Sequence, residues 1–212
     1  FNTMNSIAVL ADIEEASQTK KMLECMSSIL RYNLKEMNNK VTLKEEFEIV
    51  KAYLHIQSVR FGDRIKFKLN IDEKVMNFKV PSMILQPFVE NAIMHGLEPK
   101  EGPGLLQIDI TNSKDYVNIK IEDDGIGISA KKLKTIKSYF TSNGMENTEF
   151  NEKPDNPLKQ TGLGIKNVIM RLKLTFDENV VHIKSVPKEG TRILMKIPKS
   201  GSDLSPGSDL QP

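Results

Sequence analysis

Glu90, Asn91 and His95 sit in an apolar-periodic stretch, residues 85–96, and their types could serve one reaction centre. A carboxylate can orient or deprotonate an attacking group. A side-chain amide oxygen can ligate a hard cation such as magnesium, which prefers oxygen donors. On a helix, Asn91 and His95 share one face, with Glu90 one step round. Leu85, Phe88, Val89 and Ile93 then form the buried stripe. An amphipathic helix with a polar edge explains the same spacing, so this stretch alone leaves both readings open.

Two glycine-containing stretches lie downstream. Glu122-Asp123-Asp124-Gly125-Ile126-Gly127-Ile128 follows a strand-like run at 116–121. There Asp123 offers only acceptor oxygens, and Gly125 and Gly127 permit close backbone approach or positive φ. Thr161-Gly162-Leu163-Gly164-Ile165 opens a helical run through residue 172. Amides at such a helix start can hold phosphate, helped by roughly half a positive charge from the aligned peptides. A turn aspartate before glycine and a plain loop-to-helix junction are the simpler explanations. Each glycine motif is weak by itself.

In this order, the E-N-x-x-x-H helix, the D-x-G-x-G loop and the G-x-G turn resemble the nucleotide-binding boxes of one family. That family unites histidine kinases, DNA gyrase and MutL-type ATPases. The resemblance implies that the chain binds ATP and Mg2+, with Asn91 as magnesium ligand and Glu90 as the base or orienting group. It implies that Asp123 receives the exocyclic amine of adenine, beside Gly125 and Gly127. Gly162, Leu163 and Gly164 would serve the phosphates, and the Gly190-Thr191 pair would bring a hydroxyl near the adenine pocket. His95 either contacts phosphate or closes the helix before Gly96. Met94 stands where related kinases often carry a lysine, so that position offers no cation.

The elements that must hold these residues are legible in part. Residues 1–61 read as helices. Ile7, Leu10 and Ala11 mark one apolar face, and Leu23, Met26, Leu30 and Leu34 mark another, with Leu23, Leu30 and Met37 at heptad spacing. Two facing helices followed by a third suggest a hairpin able to pair with a second copy of itself. Thr42-Leu43-Lys44-Glu45 is a capping box that starts the third helix, and Gly62 ends it. Ile65, Phe67 and Leu69 alternate with polar residues as in a half-buried strand. A weaker strand is expected at 75–80, and further strands at 106–111, 116–121, 180–186 and 191–197. Helices are expected at 129–139 and 165–176, with a turn at 187–190.

The expected fold is α+β: a two-layer α/β sandwich, a mixed sheet faced by helices, preceded by an α-helical dimerisation segment. The expected division is 1–61 helical, 62–198 ATP-binding and 199–212 a disordered tail built on a low-complexity near-repeat.

Composition narrows the function classes. A hydrophobic share of 39% and a charged share of 27% suit a soluble globular protein with a core. A net charge of +2 gives no argument for a nucleic-acid surface. There is no apolar run of ~18 residues and no signal peptide, so this stretch is expected to make no membrane contact. The single cysteine, Cys25, excludes an intrachain disulfide and fits a reducing compartment. Among Leu23, Met26 and Ile29 it reads as core.

Phe1-Asn2-Thr3, Leu30-Arg31-Tyr32, the run from Val41 to Glu46, Tyr53-Leu54 and the run from Ile56 to Phe61 narrow the family. Together with residues 81–96 they resemble the LytS-like two-component sensor histidine kinases, over almost all of 1–198. That resemblance implies an ATP-dependent protein-histidine kinase, homodimeric through its N-terminal helices, whose partner is a response regulator. It implies a cytoplasmic catalytic region of a longer protein anchored in the cell membrane. In that group the acceptor histidine lies in a His-Phe-x-Phe-Asn motif. Phe1-Asn2 match its last two residues, which puts the acceptor just upstream. His55 lies outside that motif, and His182 alternates within a strand. Two other readings stay open: another ATPase of the superfamily (a serine-directed anti-sigma kinase or a gyrase-like machine), or a non-catalytic nucleotide-binding interaction module.

Residues 141–160 carry few apolar side chains and lead into Gly162 and Gly164. Long loops of this composition inside a domain are usually functional or disordered, and this one, between two nucleotide boxes, is expected to act as a lid ordered by nucleotide. Hydrogen exchange across it should slow when ATP and magnesium are added. Unchanged exchange at saturating nucleotide would reduce it to a linker.

Overall fold

The computed structural model describes residues 2–35, 39–141, 163–176 and 180–199. Residues 142–160 of the expected lid and 200–212 of the expected tail lie outside the described residues. Helices α1 (Asn2–Ile13) and α2 (Ser17–Lys35) pack on each other as the expected hairpin, and α2 packs on α3 (Leu43–Phe61). Ala11, Cys25 and Tyr32 point into these contacts and are buried. Much of the predicted apolar face does not. Ile7, Leu10, Met26, Leu30 and Leu34 are all exposed on this chain.

The capping box forms as predicted. The Glu45 amide donates to the Thr42 hydroxyl (3.2 Å), and the Glu45 carboxylate accepts from the Thr42 amide (2.7 Å). At the other end Gly62 takes φ of +54° and donates its amide to the Ser58 carbonyl, stopping α3. Two expectations need correction here. The stretch read as wholly helical contains a short strand, β1 (Lys40–Thr42), and the strand expected at 75–80 is only β3 (Lys79–Pro81). Asp72 takes the Lys74 amide (3.0 Å) and folds residues Glu73–Val75 into a 3-10 turn instead. β1 and β3 pair antiparallel as a separate two-stranded ribbon, with Val41 opposite Val80. Strands of three residues are too short for alternation to reveal them.

The main sheet comprises β2 (Ile65–Ile71), β4 (Gly104–Asn112), β5 (Tyr116–Asp123), β6 (Val181–Val186) and β7 (Gly190–Pro198). Its order is β2-β4-β5-β7-β6. Only β2 and β4 are parallel; the other pairs are antiparallel. A parallel pair needs a crossover, and α4 (Gln86–Asn91) lies in it. Leu106, Ile108, Ile110, Ile119, Ile121, Ile193 and Met195 line one buried face. Against this face lie Phe88, Val89, Ile93 and Leu97, with Val168, Ile169 and Leu172 of α6 (Leu163–Phe176). Helix α5 (Ala130–Thr141) joins the same layer through Ile136. The mixed sheet faced by helices is therefore the α+β architecture expected, and one core runs from α3 through to the sheet.

The capping geometry generates a stability prediction. Thr42→Ala should lower the free energy of unfolding by about 1 kcal/mol, because the Glu45 amide loses its acceptor. Urea denaturation measures this directly. A change within error would mean that water replaces the hydroxyl without loss.

Candidate functional site

The stripe predicted for residues 85–96 is buried as expected: Leu85, Phe88, Val89 and Ile93 are at most 1% exposed. The backbone is not one uniform α-helix. Helix α4 gives way at Ala92 to a π-helical segment, Ala92–Leu97, in which the Glu98 amide reaches back to the Ile93 carbonyl (2.8 Å). Such wide turns inside helices often mark functional sites. The extra residue per turn breaks the strict i, i+4 relation expected between Asn91 and His95. The periodicity of apolar residues cannot report it, since one inserted residue leaves the stripe nearly in line.

Glu90 and Asn91 close α4, both half-buried. The Gln86 side-chain amide donates to the Glu90 carboxylate (2.7 Å), one turn away. The Asn91 amide nitrogen donates to the Pro87 carbonyl, which leaves its side-chain oxygen as an acceptor. His95 is half-buried on the π-helical segment. Burial lowers its proton affinity, the Lys132 ammonium lowers it further, and Glu98 opposes both. Lys132 is a cation that the sequence motifs did not single out.

Asp123 ends β5 and is 6% exposed. Its carboxylate accepts from the Gly125 amide (2.9 Å) and from the backbone of Thr191, its partner across the strand pair. Gly96 of the π-helical segment packs directly on it. A Cβ at Gly96 would stand 2.6 Å from the carboxylate oxygen, and one at Gly125 would overlap the Gly96 backbone. The Ile126 amide donates to the Gly96 carbonyl (2.9 Å), locking loop to helix. Gly127 takes φ of +66°, as the loop turns towards β6. The structure thus brings Gly96, Asp123, Gly125 and Thr191 together.

Thr191 carries a second feature that the sequence did not disclose. The Ser185 hydroxyl donates to the Gly190 carbonyl (2.8 Å) and accepts from the Ile128 amide (2.8 Å). Its one proton is spent, so the Thr191 hydroxyl at 2.9 Å is the donor of that pair. Ser185 therefore orients Thr191 and ties the Gly127 loop to β7. Leu163 and Gly164 begin α6, and a Cβ at Gly164 would stand 3.7 Å from the Pro87 side chain, one turn before Asn91. Gly162 lies outside the described residues. Cys25 is buried, its thiol pushed up by burial, in keeping with a core role. His182 is exposed on β6, and His55 is half-buried in α3 with its Nε2 enclosed and unpartnered.

Comparison with known proteins follows the same lines. Residues 79–201 match the family described as histidine kinase-, DNA gyrase B-, and HSP90-like ATPase, and residues 1–65 match the histidine kinase family. The chain is 34% identical over 199 residues to the sensor histidine kinase YesM of Bacillus subtilis, covering 93% of this chain and 31% of YesM. It is 32% identical to the sensor histidine kinase YpdA of Escherichia coli K12, covering 97% of this chain and 33% of YpdA. It thus spans about a third of these relatives. The catalytic domain of histidine kinase ThkA shares the fold, with a TM-score of 0.51 at 15% identity over 78% of this chain and 98% of that one.

Burial pushes the Asp123 carboxyl up to about 6; the Gly125 and Thr191 amides pull it down, and Asp124 and Glu122 add to the rise. Unfolded, the same group titrates near 3.9. Between these values the folded chain holds a proton that the unfolded chain has released, so folding stability falls as pH rises through this window. The loss is on the order of 3 kcal/mol and is complete above the folded value. Asp123→Asn removes the titration. The stability of the variant relative to the parent should therefore climb by that order between pH 4 and pH 7, read by urea unfolding at both. A difference independent of pH would mean that Asp123 ionises as freely as an exposed carboxyl.

Proposed function

The chain belongs to the family of histidine kinase-, DNA gyrase B-, and HSP90-like ATPases, and we propose that it is the catalytic region of a sensor histidine kinase. It would bind ATP with magnesium and transfer the γ-phosphoryl group to a histidine. The single observation that carries this reading is Asp123, a buried carboxylate at a strand end packed against Gly96 and Gly125. Beyond the bonds from the Gly125 and Thr191 amides its carboxylate keeps acceptor capacity that a donor on a ligand can use. The 6-amino group of adenine is such a donor, whereas the 6-oxo group of guanine would face it with repulsion. Gly125, Gly127 and Thr191 complete that end of the site, with the Thr191 hydroxyl oriented by Ser185.

The donor set at the other end fits magnesium. Asn91 keeps an amide oxygen for a hard cation because its nitrogen is committed to Pro87. Magnesium, when bound, neutralises charge on the transferring phosphates. Gly162, Leu163 and Gly164 would offer backbone amides to the phosphates at the start of α6. His95 would join them as a neutral imidazole that donates one hydrogen bond. Glu90, held by Gln86, would orient the incoming imidazole and take its proton. The bond from the γ-phosphorus to the β,γ-bridging oxygen breaks, a phosphorus–nitrogen bond forms and ADP leaves. A response-regulator aspartate would then take the phosphoryl group.

The acceptor we assign is the histidine of the motif that Phe1-Asn2 resemble, rather than any of the chain's three. His55 has its Nε2 enclosed, His95 lies in the site and His182 is on an open strand. The division at residue 61 is one of role: the helices before it pair two copies, and residues 62–198 bind nucleotide. Exposed Ile7, Leu10 and Ile13 on α1 and Met26, Leu30 and Leu34 on α2 support a homodimer through this hairpin. Among the described residues no helix is long and apolar enough to cross a membrane. We place this region in the cytoplasm and any membrane anchor elsewhere in the full-length protein.

Calorimetry should find ATP bound at least about tenfold more tightly than GTP, the value of one charge-assisted hydrogen bond. Asp123→Asn should weaken ATP and narrow that ratio. Equal affinities in the parent chain would defeat the adenine assignment. In a chain extended to include the acceptor motif, Glu90→Ala should abolish phosphohistidine labelling while ATP still binds. Persistent labelling would remove Glu90 from the reaction.

A further inference from the structure

The turn at residues 82–85, between β3 and α4, is held from outside by one carboxylate. Met83 has φ of +57°, a left-handed conformation that non-glycine residues seldom adopt. In this turn the successive amides of Met83, Ile84 and Leu85 all point at Glu46 of α3. Oε1 accepts from Met83, and Oε2 accepts from Ile84 (2.8 Å) and Leu85 (2.9 Å). Successive amides arranged this way form a concave anion site, and here the anion is a side chain of the same chain. Glu46 is 1% exposed and forms no ion pair among the described residues. A fourth donor completes its shell: the Tyr32 hydroxyl of α2, itself buried. From the opposite side Arg171 of α6 donates to the Ser82 carbonyl, and the Ser82 amide donates to the Asn39 carbonyl (2.9 Å).

This turn leads directly into α4, whose N-cap residue Leu85 supplies no side-chain cap. Glu46 instead fixes the backbone just before the helix, through the amides of Met83, Ile84 and Leu85. Glu90 and Asn91 are the last residues of the same short helix, so the placement of the turn sets their placement. Tyr32 links the outer hairpin to this arrangement. Its helix otherwise exposes Met26, Leu30 and Leu34. We propose that Glu46 and Tyr32 are positioning residues: Tyr32 fixes Glu46 on the turn at 82–85, and Glu46 thereby sets Glu90 and Asn91 against the nucleotide. The inference rests on the roles proposed for Glu90 and Asn91.

The geometry separates the two ends of the site. Asp123, Gly125 and Thr191 belong to the sheet and its loop, and they meet the site helix at Gly96, beyond Glu90 and Asn91 and at the far end from the turn at 82–85. Loosening the turn should therefore spare adenine binding and impair what depends on Asn91. Tyr32→Phe removes one donor without changing shape. Glu46→Gln sets an amide donor against two of the present donors in either orientation, and should act more strongly.

The test compares adenosine without metal and ATP with magnesium by calorimetry, with circular dichroism as the control for folding. Tyr32→Phe should bind adenosine within about twofold of the parent and magnesium–ATP at least about fivefold more weakly. Glu46→Gln should reproduce the split, and the double variant should be no weaker than Glu46→Gln alone, since one contact serves both residues. If Glu46→Gln fails to fold, Tyr32→Phe carries the comparison. Unchanged magnesium–ATP affinity in folded Tyr32→Phe would overturn the proposal, as would equal losses for both ligands. Fully additive losses in the double variant would overturn the coupling. Asn91→Ala separates the two levels: it should erase the gain in affinity that magnesium gives ATP. If it does not, the role of Asn91 fails and this proposal fails with it. If it does while Tyr32→Phe changes nothing, only the positioning role is lost.

Discussion

Backbone meets backbone where the π-helical segment crosses the loop after β5, and a buried carboxylate is pinned beneath that crossing. Gly96 and Gly125 have no side chains to hold the two segments apart, and the Ile126 amide closes the gap by bonding to the Gly96 carbonyl. The consequence for Asp123 is loss of water without gain of a cation among the described residues. A carboxyl in that position is costly to ionise, and the Gly125 and Thr191 amides offset only part of the cost. A site that stores this penalty has a standing preference for a ligand that brings a hydrogen-bond donor.

The sheet makes that crossing possible by being different on its two faces. Its inner face is a continuous apolar layer of isoleucine, leucine, valine and methionine, against which α4, the π-helical segment and α6 settle. Its outer face carries a charged network in which Lys120 bridges Asp109 (2.7 Å) and Glu122 (3.3 Å), and Arg192 pairs with Glu122. Half-exposed pairs of this kind contribute little to stability individually. Core packing therefore holds the site helix, and the charges keep the opposite face wet. The candidate site lies where β5 ends and β7 begins, with Asp123 opposite Thr191.

The helices before the sheet are not merely appended. Residues of α3, among them Leu43, Phe47, Val50 and Leu54, belong to the same core as the sheet, and the β1–β3 ribbon ties residues 40–42 to 79–81. Glu46 extends this union to the backbone entering α4. A carboxylate satisfied by amides and a phenol needs all of its donors in place, because leaving any of them unpaired in a buried setting is expensive. The outer hairpin, the site helix and α6 thus meet at four residues, 82–85.

Periodicity and turn chemistry in the sequence determined most of the elements: the hairpin helices, the capping box at Thr42, the stop at Gly62, the strands of the sheet and the buried stripe of the site helix. These are local effects of side-chain spacing and of hydrogen bonds between near neighbours, so one chain segment suffices to read them. The order of the motifs at Glu90–Asn91, Asp123–Gly127 and Gly162–Gly164 marked the family in the same way. Tertiary structure alone decided the π-helical turn at Ala92–Leu97, the ribbon of β1 with β3, the orientation of Thr191 by Ser185 and the bonds from Glu46 to the turn at 82–85. Each of these joins residues of different elements, or inserts a single residue that leaves the apolar pattern unaltered. Glu46 reads as the second glutamate of a helix's first turn, an ordinary place for a carboxylate. Only its burial against three amides 37 to 39 residues away gives it another role.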